Sequence, residues 1–179
     1  IGGIISHKDG RIDPIHLMNS LMKVLNTKKI NKIDDRVILI EKNSSSLNKK
    51  WKIYFERNEP ILQDFIVICS ALNSQKLLKP LGYEIFLEPV LGQVVELKLK
   101  QKNENWHQWP SVLSYQSINF IHHDAFHILI GATIESGIKP SLSIKNEMLK
   151  MNNLAPEWLK KAEISHEWNG QRARPINEP

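Results

Sequence analysis

Two arginines near the end of the chain have the spacing best suited to binding a ligand. They stand in the phrase Trp168-Asn-Gly-Gln-Arg172-Ala-Arg174. Alternation along a strand would place Arg172 and Arg174 on one face, and Gly170 would leave room beside them. A planar guanidinium on such a face can hold a carboxylate through paired hydrogen bonds. The alternative is that both arginines bridge surface carboxylates, and the residues alone leave the two readings equal.

A metal site is the second chemistry that residue types suggest, since His122, His123 and His127 lie close to Asp124. Adjacent strand residues point to opposite faces, so His122 and His123 can share an ion only across a bulge. We therefore expect turn and edge histidines here. The sequence also has no nucleophile elbow and no glycine-rich phosphate loop.

The single cysteine, Cys69, excludes an internal disulfide and a cysteine-rich zinc site. It lies in the apolar run of residues 65–69, which predicts a buried strand. Within such a strand we expect Cys69 to be a small buried hydrophobe and not a nucleophile.

Composition is that of an ordinary globular protein, with 179 residues, 41% of them hydrophobic and 24% charged. We expect a single domain over residues 1–179 that has no membrane-spanning segment. We also expect the protein to be cytoplasmic. The net charge of +5 is spread over lysines in polar segments, so nucleic acid is not an expected partner, although a basic nucleic-acid-binding module remains an alternative. The chain begins at Ile1, and we expect it to be a piece of a longer protein. A homo-oligomer is left open.

The elements that must position these residues centre on a hairpin. Residues 118–122 form one predicted strand and residues 126–135 a second, buried on both faces, with a glycine where another part of the chain comes close. A helix should begin at Asp13-Pro14, end near Asn26 and pack its leucines inward.

Other segments complete the predicted order of elements. Strands are expected over residues 37–40, 51–56, 65–69, 93–100 and 164–174, a helical turn over 74–79, and helices around 144–151 and from Pro156. We expect residues 88–92 to interrupt the chain before the strand at 93–100, whose alternation indicates one wet face. Residues 101–111 read as a polar loop that carries Trp106 and Trp109. The irregular order predicts an α+β fold with a mixed, mostly antiparallel sheet covered by helices on one face.

Four phrases in order resemble the FAD-dependent D-amino-acid oxidase superfamily, and within it most of all the glycine oxidases of thiamine biosynthesis. They are Asp9-Gly-Arg-Ile-Asp-Pro14, Pro89-Val-Leu-Gly-Gln-Val-Val95, Ile130-Gly-Ala-Thr-Ile-Glu135 and Trp168-Asn-Gly-Gln-Arg172. The resemblance implies the substrate-binding domain of a two-domain oxidoreductase whose glycine-rich FAD-binding βαβ unit lies outside this sequence. It also implies oxidation of the C–N bond of a small carboxylate-bearing amine by hydride transfer to flavin.

The same resemblance assigns residues to roles. Arg172 matches the arginine that anchors the substrate carboxylate, Asn119 stands where glycine oxidases have a tyrosine that helps hold it, and Ile134 lies near the substrate. Val37, Ser70 and Ala71 match positions that approach FAD.

Departures from the family pattern give an alternative. Ala71 replaces a glycine, Asn73 a tryptophan and Asn119 a tyrosine, so a degenerate, non-catalytic binding domain of the same fold is the second hypothesis. We expect FAD to belong to the full-length protein and not to be retained by this fragment alone.

Overall fold

The structure is a computed structural model that describes residues 4–6, 8, 10–44, 50–102, 105 and 108–176. Asp9 and Trp106, which the sequence analysis named, lie outside these residues. The helices are α1 (Pro14–Thr27), α2 (Ser74–Leu78), α3 (Leu142–Lys150) and α4 (Glu157–Lys160). The strands are β1 (Val37–Lys42), β2 (Trp51–Phe55), β3 (Ile61–Gln63), β4 (Leu87–Lys98), β5 (Leu113–Tyr115), β6 (Ile118–His122), β7 (His127–Gly131), β8 (Glu135–Ser136) and β9 (Glu163–Pro175).

The chain divides into two compact units. The first comprises Ile1–Leu21 and Val90–Gln171, and the second comprises Met22–Pro89 and Arg172–Pro179.

The first unit is organised around the predicted hairpin. β6 and β7 pair antiparallel in a sheet of order β5-β6-β7-β4-β8, and β9 also pairs with β4. In this register Asn119 lies opposite Gly131. With helices and antiparallel strands together, the α+β class is confirmed.

The core of the first unit lies between this sheet and the helices α3 and α4. Alternate residues of β4, Val95 and Leu97, are buried with Phe120 and with Ile128 and Ile130 of β7. Met148 of α3 and Leu159 of α4 complete the core. The predicted wet face of β4 is confirmed at Lys98, which is exposed, whereas the side chain of Glu96 on the same face is only 13% exposed.

Gly131 meets the expectation that a glycine marks a close approach. A Cβ built there would lie 2.9 Å from Val94 Cγ2 and 3.0 Å from the Gln93 carbonyl oxygen. A Cβ at position 131 would require Val94 and the Gln93 carbonyl to shift, so glycine allows β4 and β7 to approach closely in this register.

Two predicted boundaries in this sheet are wrong. β4 begins at Leu87, so residues 88–92 continue the strand, because Val90 and Leu91 pair with Ser136 and Glu135 of β8. β7 ends at Gly131 and the chain resumes strand structure only at Glu135, so residues 126–135 are not one strand. Apolar content alone could not place these strand ends, because pairing with β8 decides where β4 begins.

The second unit contains a three-stranded antiparallel sheet of order β1-β2-β3. Asp35 ties its entry to the β2–β3 turn, because Asp35 Oδ2 accepts hydrogen bonds from the backbone N–H of Arg57 at 3.0 Å and of Asn58 at 2.9 Å. Hydrogen bonds outweigh the opposing effect of desolvation and lower the pKa of Asp35 to about 2.

The predicted buried strand at residues 65–69 is wrong. The segment has no regular secondary structure, and Phe65 and Val67 are 86% and 85% exposed. Cys69 is exposed as well, which corrects its expected burial. An apolar run predicts a buried strand only if another strand pairs with it, and none does in the part of the chain that the structure describes.

The helix α1 forms where the sequence places it, but its apolar face is not packed inward. Asp13 is the N-cap, and its Oδ1 accepts from the backbone N–H groups of Ile15 and His16 at 2.9 Å each. The expectation that the leucines are buried is wrong, because the apolar side chains along the helix are exposed apart from half-buried Met22: Leu17, Met18, Leu21, Val24 and Leu25. Helical periodicity determines which side chains share a face but not what covers them.

The remaining elements agree with expectation. α2 covers most of the predicted helical turn, α3 covers Ile144 and Met148, and α4 follows Pro156. The last strand is confirmed as β9, and Arg172 and Arg174 lie on it two residues apart. Among the described helices, none has the length and apolarity needed to cross a bilayer.

Candidate functional site

A cavity of about 670 Å³ opens on the face of the first unit's sheet. Its walls come from β4, β6, β7 and β9 and from the residues that precede α1. The walls are mostly apolar, with a few polar side chains among them, which is the usual composition of a small-molecule site. The apolar wall residues include Val94, Ile121, Leu129, Ala132 and Trp168.

Asn119 is the predicted site residue that lines this cavity. It is half-buried on β6, and its Oδ1 accepts a hydrogen bond of 2.6 Å from the Ser114 hydroxyl on β5. That bond identifies the oxygen end of the amide and fixes its orientation, so the opposite end, Nδ2, is a donor. At this position the chain can therefore offer N–H groups to a ligand oxygen.

Glu96 is the carboxylate on the cavity wall with the most partners. Ser165 Oγ donates to its Oε2 at 2.8 Å, His166 Nδ1 lies 2.9 Å from the same oxygen, and His123 Nδ1 lies 3.0 Å from Oε1. Desolvation raises the pKa of Glu96, but the hydrogen bonds from Ser165, His123 and His166 outweigh it and lower the pKa to about 2. Glu96 is therefore an anion at neutral pH.

The histidines that suggested a metal site have other partners. His127 Nδ1 lies 2.9 Å from Asp124 within the β6–β7 turn, and His123 contacts Glu96. Within the described ranges, no group of histidine, cysteine and carboxylate side chains is arranged to hold a metal ion.

Ile134, the second predicted substrate residue, lies in the segment between β7 and β8. It is exposed and lines a smaller cavity of about 300 Å³, which shares Ala132 with the larger one. The segment is held by Glu135, only 4% exposed, which accepts hydrogen bonds from Thr133 Oγ1 and from Gln93 Nε2 of β4. These bonds, with one from the Ser141 backbone N–H, outweigh desolvation and lower the pKa of Glu135.

Val37 and Ser70, two of the predicted FAD-contacting residues, line one cavity of about 780 Å³ in the second unit. Isoleucine side chains from β1, β2 and the segment 65–69 contribute to its wall, and Arg36 and Lys76 bring positive charge. The structure thus brings together residues that are 33 positions apart in the chain.

Ala71, the third predicted FAD-contacting residue, follows Ser70 with φ +47°. This left-handed conformation favours glycine, the residue that the resemblance places at this position. Ala71 therefore adopts a backbone conformation that glycine would adopt at a lower cost.

Arg172, the predicted carboxylate anchor, is exposed on the part of β9 that belongs to the second unit. The other two predicted substrate residues, Asn119 and Ile134, belong to the first unit. Gly170 leaves the expected open space, because a Cβ there would have no atom within 4 Å.

A family model described as DAO, FAD dependent oxidoreductase, matches residues 1–179. The chain belongs to this family. No curated protein sequence matches the chain.

Solved structures with the fold of this DAO-family chain include three oxidases. Iminodiacetate oxidase (IdaA) from Chelativorans sp. BNC1 has a TM-score of 0.75 at 22% identity and covers 90% of the chain. Glycine oxidases from Geobacillus kaustophilus and Bacillus cereus ATCC 14579 have TM-scores of 0.64 and 0.63 at 18% and 19% identity, each covering 78% of the chain. The chain spans only 43%, 36% and 37% of these proteins, respectively.

Sequence reasoning missed the polar residues that surround Asn119 in this DAO-family chain. Glu96 appeared only as a residue on the wet face of β4, because His123 and His166 are 27 and 70 positions away. Arg11 also lines the cavity, and the sequence marked it only as part of the phrase before α1. A regular alternation of polar and apolar residues was the one available signal for Glu96, and it gives no partner.

Proposed function

We propose that the protein to which this chain belongs oxidises the C–N bond of a small amino acid or amine, with FAD as the hydride acceptor. The observation that carries the proposal is the apolar cavity of the first unit, where the Asn119 amide offers a donor among aliphatic walls. Membership of the FAD-dependent oxidoreductase family across residues 1–179 supports the reaction class.

The substrate side of the proposal assigns binding and orientation to this chain. Asn119 donates to a substrate oxygen, Ile134 contributes apolar contact from the segment after β7, and Arg172 anchors a carboxylate. Exposed Arg172 and its β9 neighbour Arg174 have the planar donors that this role requires. No acid–base residue is assigned, because positioning the substrate is the contribution that a cofactor oxidase asks of its protein.

The cavity of the second unit fits part of FAD. Its isoleucine walls suit a flat ring system, and Arg36 and Lys76 suit phosphate oxygens. Val37 and Ser70 would contact the cofactor there, and Ala71 would keep the backbone turn beside it. The donors of Arg36 and Lys76, together with the apolar wall, support the assignment.

A further FAD-binding domain of the same protein is the proposed partner. Two apolar surfaces support it: the exposed face of α1 and the unpaired segment 65–69. Neighbouring exposed apolar side chains often mark an interface, and the chain spans 43% or less of the three oxidases of similar fold.

The test is the spectrum of the full-length protein. We expect purified protein to bind flavin and to lose its visible absorbance when small amino acids or amines are added without oxygen. A panel of glycine, N-methylglycine, iminodiacetate and larger D-amino acids would define the substrate. Flavin that is bound but reduced by none of these amines contradicts the proposed reaction.

A second candidate is a binding domain of the same fold without redox activity. Ala71, Asn73 and Asn119, which depart from the family pattern, favour it. Full-length protein that is colourless and gains no flavin spectrum on adding FAD would support this candidate over the oxidase.

A further inference from the structure

We propose that Arg11 and Asn119 together bind the carboxylate of a small ligand in the cavity of the first unit. This inference rests on the proposed function and deepens it, because it places a carboxylate anchor within the cavity that holds Asn119. The ligand class is a small carboxylate with an aliphatic substituent.

Arg11 lies just before α1 and lines the same cavity as Asn119. It is close enough to β6 for its charge to act on His122. Desolvation is the larger cause of the lowered pKa of His122, and the charge of Arg11 is the smaller one. Arg11 and Asn119 therefore line one cavity, in which the charge of Arg11 also acts on a residue of β6.

The two carboxylates that line the cavity already have partners. Asp13 caps α1, and Glu96 is bonded to Ser165, His123 and His166. Among the residues that the structure describes, no hydrogen bond or ion pair involves the guanidinium of Arg11. Its fork of donors thus remains for an anion from solution.

The amide of Asn119 supplies a second hydrogen-bond donor to the cavity. Its oxygen accepts from Ser114, and the opposite end of the amide, Nδ2, is a donor. The guanidinium of Arg11 and the Nδ2 group of Asn119 line one cavity and both donate hydrogen bonds to oxygen, and the guanidinium also carries a positive charge. Such a pair favours a carboxylate over the matching neutral amide.

The walls of the cavity define the rest of the ligand. Val94, Ile121 and Leu129 present aliphatic side chains, and Trp168 adds an aromatic one. Removing an aliphatic group from water against these walls is favourable. Isobutyrate combines a carboxylate with a branched aliphatic group and is the probe of choice, with isobutyramide as its neutral counterpart.

The experiment is a ligand-observed NMR titration of the full-length protein with both probes. We expect wild type to bind isobutyrate more tightly than isobutyramide. Arg11→Met should weaken isobutyrate about tenfold, the size of one charge-assisted contact, and leave isobutyramide within about twofold. Arg11→Lys should be intermediate, because lysine keeps the charge but loses the planar fork.

Two variants serve as controls for charge and for the alternative anchor. Lys23→Met removes an exposed positive charge from α1 and should leave both affinities unchanged. Arg172→Met tests the anchor assigned under the proposed function. Because Arg11 is exposed, the thermal midpoint of each variant should match wild type, and Arg11→Lys retains the test if Arg11→Met does not fold.

Each remaining outcome decides between the two proposals. Isobutyrate affinity that is unchanged in Arg11→Met, or no preference of wild type for isobutyrate over isobutyramide, overturns the Arg11 site, whether or not amines reduce the flavin. Arg11-dependent affinity in a protein whose flavin no amine reduces keeps the Arg11 site and contradicts the oxidase instead.

Discussion

At the scale of single residues, Glu96 lies on the wet face of β4, yet it is bonded to side chains from β9 and from the turn after β6. Three hydrogen bonds keep it ionised against the effect of desolvation. The carboxylate therefore ties β4 to β9 and to the turn after β6 at the wall of the cavity, and the protonation of Glu96 should affect stability.

The first prediction is a pH dependence. The pKa of Glu96 is lowered from 4.5 to about 2, so its stabilising contribution is fully present above pH 4.5 and is lost as pH falls toward 2. We expect the free energy of unfolding of Glu96→Gln to fall less than that of wild type over this window, by on the order of 1–2 kcal/mol. Urea unfolding at pH 5.5 and pH 2.5 measures it. Glu84→Gln, at an exposed position, is the control; identical pH profiles for Glu96→Gln and wild type would contradict the role of Glu96.

The second prediction concerns Ala71, whose φ of +47° is costly for any residue with a Cβ. Ala71→Gly should raise the free energy of unfolding by about 0.5–1 kcal/mol, because relief of this cost exceeds the added entropy of glycine in the unfolded chain. Ala125→Gly, at a position outside the left-handed region, should instead lower it. Destabilisation by both substitutions would show that Ala71 is not strained.

The third prediction concerns Gly131, where a Cβ would lie 2.9 Å from Val94 Cγ2 and 3.0 Å from a backbone oxygen. Gly131→Ala should lower the free energy of unfolding by about 1–3 kcal/mol, because β7 must move away from β4. Gly10→Ala adds its Cβ to open space and should have little effect. Equal stability of both variants would mean that the two strands are less closely packed than described.

At the scale of elements, α1 and the segment 65–69 have apolar patterns that the described chain does not bury. The N-cap Asp13 and the residues of α1 are sufficient to form the helix, since capping and periodicity are local. A strand at 65–69 needs hydrogen bonds from a neighbour, so the same degree of apolar content leaves that segment irregular. The difference between the two elements is the range over which their hydrogen bonds are made.

The fourth prediction uses Cys69, which is exposed at the end of this segment. If a further domain covers residues 65–69, a thiol reagent should modify Cys69 at least tenfold more slowly in the full-length protein than in the 179-residue chain. The rate in denaturant gives the reference for an unprotected thiol. Equal protection in both proteins would argue against the proposed partner at this segment.

At the scale of the whole molecule, a single family match runs through residues 1–179 although the chain divides into two compact units. Each unit has a cavity whose lining suits a different part of the proposed chemistry: apolar walls with Asn119 in the first, and aliphatic walls with basic residues in the second. Large apolar side chains are exposed in both, including Ile15 and Leu17 in the first and Phe65 and Val67 in the second.

The fifth prediction follows from this exposed apolar surface. The 179-residue chain should bind a hydrophobic dye such as ANS strongly, and the full-length protein should bind it several-fold less per molecule, since buried faces cannot take up dye. Fluorescence titration at equal concentrations measures the difference. Similar dye binding by both proteins would mean that these faces are exposed in the full-length protein too.

The local sequence determined much of the fold. Asp13-Pro14 and the leucines after it gave α1, alternation gave the wet and buried faces of β4, and the hairpin of β6 and β7 followed from two apolar segments around a short turn. The family resemblance rested on phrases of five to seven residues. Each of these signals depends on neighbours within a few positions, where propensity and side-chain periodicity act.

Only the tertiary structure decided the exposure of α1 and of residues 65–69, the continuation of β4 through residues 88–92, the end of β7 at Gly131, and the cavity that joins Arg11, Glu96 and Asn119. Burial and pairing depend on residues that are distant in the chain, and Glu96 with His166, 70 positions away, is the clearest case. The sequence determines which kinds of contact a side chain can make, whereas the fold determines which residues lie near enough to make them.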